Sequence, residues 1–338
     1  MVLNQSSFQT GRSLSTVLSD RPVSVRAARR IARSGDSRTT ASRPCPRRTP
    51  PRIGLSGRSG FVNEGGSRQH QPSMSIDEDL RQIESALDAA ERALRPFVEG
   101  AIEASFKVGD DPLTAADLAV DAAVKDVLHS ETDGWLSEET ADSLTRLSCR
   151  RAWVVDPLDG TREFVRGIPE WCVSVGLVED GIPIAGGVLA PTAGLRVVGA
   201  KDRGVTLNGR PAGPSATTSL AGALVLASRS ELNRGLWDPF FSTDISVRNM
   251  GSVALKLALV AVGHADATWT LVPKNEWDVA AGAALVSAAG GRVSLPDGSA
   301  RTFNSPEPLL PGFVAAAPGL FEPVHQLVGR VGIRQETF

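Results

Sequence analysis

The chain has 338 residues, enough for one large or two medium domains, and its 41% hydrophobic content is that of an ordinary globular protein. No run of about 18 consecutive apolar residues occurs, which argues against a transmembrane helix; Cys45, Cys149 and Cys172 have no metal-like spacing, which argues against a disulfide framework or a thiolate zinc site and makes a reducing, cytoplasmic setting the default. The net charge of −2 divides into +10 on residues 1–73, with 13 Arg and three acids, and −12 on the rest, so the body is too acidic for a general nucleic-acid binder.

Residues 1–73, with stretches such as RPCPRRTPPR and SGRSG, show no sustained hydrophobic period and read as a disordered extension. An idle tail, sequence upstream of a true start at Met74, an organelle-targeting segment and an RNA- or membrane-touching arm all fit this composition. From Ile76 the texture changes. Leu80, Ile83, Leu87, Ala90, Leu94 and Val98 recur at helical spacing, predicting an amphipathic helix that ends near Pro96 or toward Gly100. A second helix is expected over Ala115 to Leu128, with Thr114 as its N-cap. Trp153 to Val155 and Cys172 to Val178 read as strands; a turn at Glu179-Asp180-Gly181 leads to another strand, Ile184 to Leu189. Beyond it, short apolar runs (Leu224 to Ala227, Ile245 to Arg248) alternate with helix-like stretches (Ser252 to Val262, Val279 to Ala289), which points to a layered α/β architecture. The Pro/Gly/Ser/Thr-rich stretch Asn208 to Ser219 is the expected boundary between a 74–215 α+β subdomain and a 216–338 α/β subdomain.

WVVDPLDGTREF drives a hydrophobic strand into two acids, Asp156 and Asp159, and turns at once on Gly160. Asp-Pro and Asp-Gly are common turn dipeptides, so a plain loop is one reading. Further acids stand elsewhere: Glu138-Glu139 in WLSEET, Asp278 opening the Ala-rich EWDVAAGAALVSAAGG, and Asp117 in PLTAADLAVD. Singly, such acids serve helix dipoles or sit in water.

In this order, SEET, DPLDGT and WDVAAG...AAGG resemble the inositol monophosphatase superfamily of Mg²⁺-dependent, lithium-sensitive phosphatases, across roughly residues 76–330. One departure is Ser137, where the family has Gly before the Glu pair. The resemblance implies an α-β-α-β-α sandwich of the sugar-phosphatase type, a small phosphorylated substrate, no membrane partner and, as in many family members, a homodimer. It further implies two or three Mg²⁺ per site: one on Glu138, Asp156 and the Leu158 carbonyl, a second on Asp156, Asp159 and Asp278, a third sharing Glu138. Oxygen ligands suit such hard cations, and none of the four His falls in these motifs. By the same resemblance Thr161 pairs with Asp117 and, with Glu138, activates water, while Gly160 and Thr161 hold phosphate beside Asp159. DGTREF, NEWDVAAG and GSVALKL resemble the 3'(2'),5'-bisphosphate nucleotidases more than the inositol monophosphatases. Ser252 and Lys256 are then candidates for the substrate, Lys256 for a second phosphate, and Glu276 for a hydroxyl contact or a helix cap. An inositol or sugar phosphatase is the alternative, and a catalytically quiet protein of the same fold another.

Overall fold

The computed structural model describes residues 75–107 and 112–332; the expected N-terminal extension lies outside them. Helix α1 (Ile76–Leu94) opens on the N-cap Ser75, whose hydroxyl accepts from Glu78 N–H, and carries Asp77, Glu78 and Asp79 against the positive end of its dipole. It stops two residues before Pro96, so Val98 lies off its apolar face and is 63% exposed, contrary to the spacing argument. A short antiparallel pair, β1 (Ala104–Phe106) and β2 (Pro112–Thr114), leads into α2 (Ala115–Leu128), capped by Thr114 as expected.

Seven strands follow: β3 (Gly134–Ser137), β4 (Arg151–Asp159), β5 (Cys172–Glu179), β6 (Ile182–Ala190), β7 (Leu195–Ala200), β8 (Gly204–Leu207) and β9 (Arg210–Ala212). They form one sheet in sequence order, parallel between β3 and β4 and antiparallel elsewhere. The five-residue α3 (Thr161–Val165) sits between β4 and β5. Chain 208–219 holds the β8–β9 turn, β9 and the coil that leaves this sheet. A second sheet combines β10 (Leu224–Ser228), β11 (Ser246–Met250), β12 (Ala267–Thr270), β14 (Arg292–Ser294) and β16 (Phe313–Ala316), in the order β11-β10-β12-β16-β14. The pair β13 (Lys274–Asn275) and β15 (Leu309–Leu310) stands apart. The remaining helices are α4 (Arg229–Asn233), α5 (Val253–Ala261), α6 (Glu276–Ala288) and α7 (Phe321–Gly332).

Strand alternation distributes the side chains to two cores. Trp153, Val155, Val173, Val175 and Leu177 face α1 and α2, packing on Ile83, Leu87, Val120 and Val124. Val154, Val178, Val188 and Val197 face the other way, into a core shared with α5, α6 and the near face of the second sheet. With both faces covered, every residue of β4 is buried, the apolar run at 152–155 as well as Arg151 and the two acids. The far face of the second sheet packs on α7, with Trp237 stacked on Trp269 at 4.7 Å. The order is helices, sheet, helices, sheet, helix, the expected α-β-α-β-α sandwich. Gly176 and Gly186 bring α6 close: a Cβ on Gly186 would lie 2.5 Å from the Ala281 carbonyl oxygen, and one on Gly176 2.8 Å from Ala281 N. No helix of the described residues is long and apolar enough to cross a membrane.

Candidate active site

Two acids three residues apart on a regular strand point to opposite faces. Between Asp156, paired with Ser174, and Asp159, paired with Cys172, β4 contains one residue more than β5. This bulge restores the parity, and both carboxylates line the same cavity, of about 490 Å³. Pro157, which has no N–H to donate, occupies the bulge just past Val155, the last β4 residue paired to β3. Gly160 then turns with φ +96°, where a Cβ would press on Glu170 O at 3.0 Å and on Trp171.

Asp117 and Asp278 arrive by a shared device. Each is the third residue of its helix and closes a capping box, Asp117 on α2 and Asp278 on α6. Asp117 Oδ2 accepts from Thr114 N–H at 2.8 Å and Thr114 Oγ1 at 2.6 Å, while Oδ1 lies 3.1 Å from Thr161 Oγ1, which is also 3.0 Å from Leu158 O. The expected Asp117–Thr161 pair is therefore formed. Asp278 Oδ2 accepts from Asn275 N–H at 3.1 Å, Asp156 Oδ1 from Leu158 N–H at 3.0 Å, and Asp159 Oδ2 from Ser252 Oγ and Ala254 N–H at 2.8 and 2.6 Å. Capping and catalysis are thus compatible for these acids, since a carboxylate has a second oxygen.

Glu138, Asp156, Leu158, Asp159, Gly160, Thr161, Ser252, Lys256 and Asp278 all line the cavity. Burial, then Glu138, Asp159 and Asp278, push the Asp156 carboxyl well above the usual carboxylate range. Asp278 is pushed up likewise by burial and Asp159, and Asp159 and Glu138 rise chiefly through burial. No three Asp, Glu, His or Cys side chains among the described residues stand in ready-made metal-coordinating geometry. Glu138 instead meets Lys107, whose Nζ is 2.8 Å from Glu138 Oε1 and 2.6 Å from Glu139 Oε1. Burial alone would lower the Lys107 pKa, but these bonds outweigh it and push it up to about 12; Glu139 is pushed up by burial to about 7.

Three sequence assignments change. The Lys256 ammonium is buried and donates to the carbonyls of Ser252, Gly251 and Met250 at 2.8, 3.0 and 3.5 Å, so its three donors hold the 250–252 turn rather than a phosphate. Burial brings its pKa down to about 8. Ser252, in the cavity lining, donates to Asp159 and caps α5, so its hydroxyl orients a carboxylate. Glu276 is fully buried outside the cavity and accepts from Asn304 N–H and Ser305 Oγ, so it touches no substrate hydroxyl.

Sequence reasoning passed over Lys107, Arg162, Glu163, Arg229, Arg234 and Lys274. All but Lys107 line the cavity. Arg229 opens α4 and Arg234 follows its last residue, just past the C-terminal end of the parallel strand β10, where α/β sheets present binding loops. That position was the available signal. Arg229 is held by Glu170 and lies 3.6 Å from Glu163 Oε1.

The model of the inositol monophosphatase family matches residues 77–328. A tomato (Solanum lycopersicum) protein, inositol monophosphatase 1, is 34% identical over 230 residues, 63% of this chain and 84% of its own. The histidinol-phosphatase of Mycobacterium tuberculosis is 38% identical over 232 residues, 64% and 87% of the two chains. Among solved structures, CysQ from Bacteroides thetaiotaomicron, a bacterial member of the inositol monophosphatase family, superposes with a TM-score of 0.59 and 26% identity, covering 72% of this chain and 98% of that one.

Proposed function

The chain belongs to the inositol monophosphatase family, and from that premise we propose that it is a Mg²⁺-dependent phosphomonoesterase acting on a small molecule with two phosphates, of the 3'(2'),5'-bisphosphate nucleotide class. One observation carries the reading: Glu138, Asp156, Asp159 and Asp278 share a cavity with the Thr161 hydroxyl and with Arg162, Arg229, Arg234 and Lys274.

The donor set fits magnesium. The cavity lining is oxygen-rich and contains no His or Cys among the described residues. Asp156, Asp159 and Asp278 each use one oxygen for orientation, which leaves the other for a ligand. Burial raises the pKa of all three, and neighbouring carboxylates add to the rise of Asp156 and Asp278, so a cation would relieve both costs. Glu138, Asp156, Asp159, Asp278 and the Leu158 carbonyl would hold the cations, which supply charge to the phosphate and leaving oxygen and acidity to water.

The chain's own residues do the rest. The Thr161 hydrogen is shared between Asp117 Oδ1 and Leu158 O, so its oxygen offers a lone pair to orient a water. Glu138, with its raised pKa, takes up the proton of that water as it attacks phosphorus. The Gly160–Thr161 turn cradles the phosphate oxygens.

The cations support a substrate with a second anion. A neutral inositol ring offers no charge to Arg234 and Lys274, and an amino-alcohol phosphate would bring an ammonium beside them. DGTREF and NEWDVAAG support the same choice. Inositol 1-phosphate is the second reading, favoured by the tomato relative. The three cysteines, without pairing pattern, support a cytoplasmic setting.

The test is phosphate release from 3'-phosphoadenosine 5'-phosphate, inositol 1-phosphate, fructose 1,6-bisphosphate and histidinol phosphate, with Mg²⁺, with and without Li⁺. We expect the bisphosphorylated nucleotide to give the highest kcat/KM and Li⁺ to inhibit. A higher value for inositol 1-phosphate overturns the substrate class, and no release from any ester overturns the enzyme.

A further inference from the structure

We propose that Arg146, Asn304, Ser305 and Glu276 form a positioning clamp that fixes the spacing between the strand that leads into Glu138 and the helix bearing Asp278, and thereby sets the cation affinity of the site; this rests on the metal-dependent reading above.

The clamp begins on β3. A Cβ on Gly134 would lie 2.6 Å from Arg146 Cβ and 2.8 Å from its Cα, so Arg146 is seated directly on the strand that ends at Ser137, next to Glu138. Arg146 is 1% exposed. Its Nε and Nη2 grip Asp142, and Nη1 and Nη2 reach across to Asn304 Oδ1 at 2.7 Å and Ser305 O at 2.9 Å. Asn304 Nδ2 donates back to Arg146 O at 3.2 Å. Asn304 has φ +57°, a conformation that Asn tolerates better than most residues. Its N–H donates to Glu276 Oε2 at 2.6 Å, and Ser305 Oγ donates to Glu276 Oε1 at 2.7 Å. Glu276 is the first residue of α6, two before Asp278. A close packing contact at Gly134 and a series of hydrogen bonds from Arg146 onward therefore join β3 to the start of α6, and none of the four clamp residues is itself part of the cavity lining.

Burying an arginine and a glutamate in this way is a poor route to stability, since apolar replacements of similar volume do as well or better. What an ionic, multidentate bridge supplies is a fixed separation. The acids on either side repel, and with the backbone distance held, a cation has only to draw in side-chain oxygens. Arg146 and Glu276 are positioning residues in this role, as outer partners of metal ligands generally are.

Binding of Mn²⁺ to the full chain, followed by electron paramagnetic resonance with Mg²⁺ as competitor, tests this without recourse to turnover. Arg146→Lys and Glu276→Gln should each weaken binding about tenfold or more. The double variant should bind no more weakly than the worse single one, because both interrupt one series. Asp79→Asn, which breaks the buried ion pair with Arg151 between α1 and β4, is the control and should keep the parent affinity despite a lowered Tm. Should Glu276→Gln not fold, Ser305→Ala removes the hydroxyl that bonds the same carboxylate, together with its contacts to Arg301 and Glu307 O, while the Ser305 N–H bond to Glu276 stays, and it should still weaken binding. Folded clamp variants with parent Mn²⁺ affinity overturn the clamp alone. A parent chain that binds no divalent cation overturns the metal-dependent reading and the clamp with it.

Discussion

Thr161 has one hydrogen and two acceptors for it, Asp117 Oδ1 and Leu158 O. That arrangement separates two kinds of loss. Thr161→Ala removes a water-orienting oxygen but no cation ligand, so kcat should fall about 10²-fold with the Mg²⁺ requirement unchanged. Asp156→Asn removes charge from the most buried carboxylate of the cavity, and should lower kcat by about 10³-fold or more while raising the Mg²⁺ concentration for half-activity. Steady-state kinetics over a Mg²⁺ titration distinguishes the two patterns; identical profiles would sink the division of roles. The acids themselves were readable in the sequence because DPLDGT is long and ordered relative to the other motifs. Lys107 was not, since its meeting with Glu138 and Glu139 spans more than 30 residues and depends on how the β1–β2 pair lies against the end of β3. Lys256 was ambiguous for a similar reason: the resemblance of GSVALKL to the nucleotidase motif suggests a phosphate contact, and only the fold of the 250–252 turn reveals three carbonyls around its ammonium.

Helices α1 and α2 were legible because local chemistry dictates their starts: Ser75 and Thr114 cap them, and apolar periodicity runs from there. Strand β4 was legible only in its apolar half. The bulge that swings Asp156 and Asp159 to one side is invisible to alternation, because it depends on the register with β5. The glycines at 176 and 186 were equally silent, although they decide how near α6 can come. Gly186→Ala would press a methyl group into the Ala281 carbonyl and should cost about 1–3 kcal/mol, measured as a lower urea midpoint at unchanged m-value. A midpoint equal to the parent's would mean that helix and sheet are less tightly apposed than 2.5 Å implies.

The clustered carboxylates tie the stability of the molecule to pH. Native Asp156, Asp278, Asp159 and Glu138 are all raised, first by burial, and Glu139 reaches about 7. Between the unfolded carboxylate range near 4 and these native values, the folded state binds more protons than the unfolded one, so stability falls as pH rises. Chelator-treated protein should therefore melt at a higher temperature at pH 5.5 than at pH 8, and Mg²⁺ should raise Tm more at pH 8, where it has more negative charge to neutralise. Calorimetry that showed a metal-free Tm rising with pH over this interval would contradict the raised values.

Helix α6 presents Asp278 at its first turn and lies along the bare backbone of Gly176 and Gly186 in the first sheet. During synthesis, all seven strands of that sheet leave the ribosome by Ala212, yet the helix that shields them ends only at Ala288. The nascent chain therefore extends by a further 76 residues, from Ala212 to Ala288, before the helix that packs on those glycines is complete.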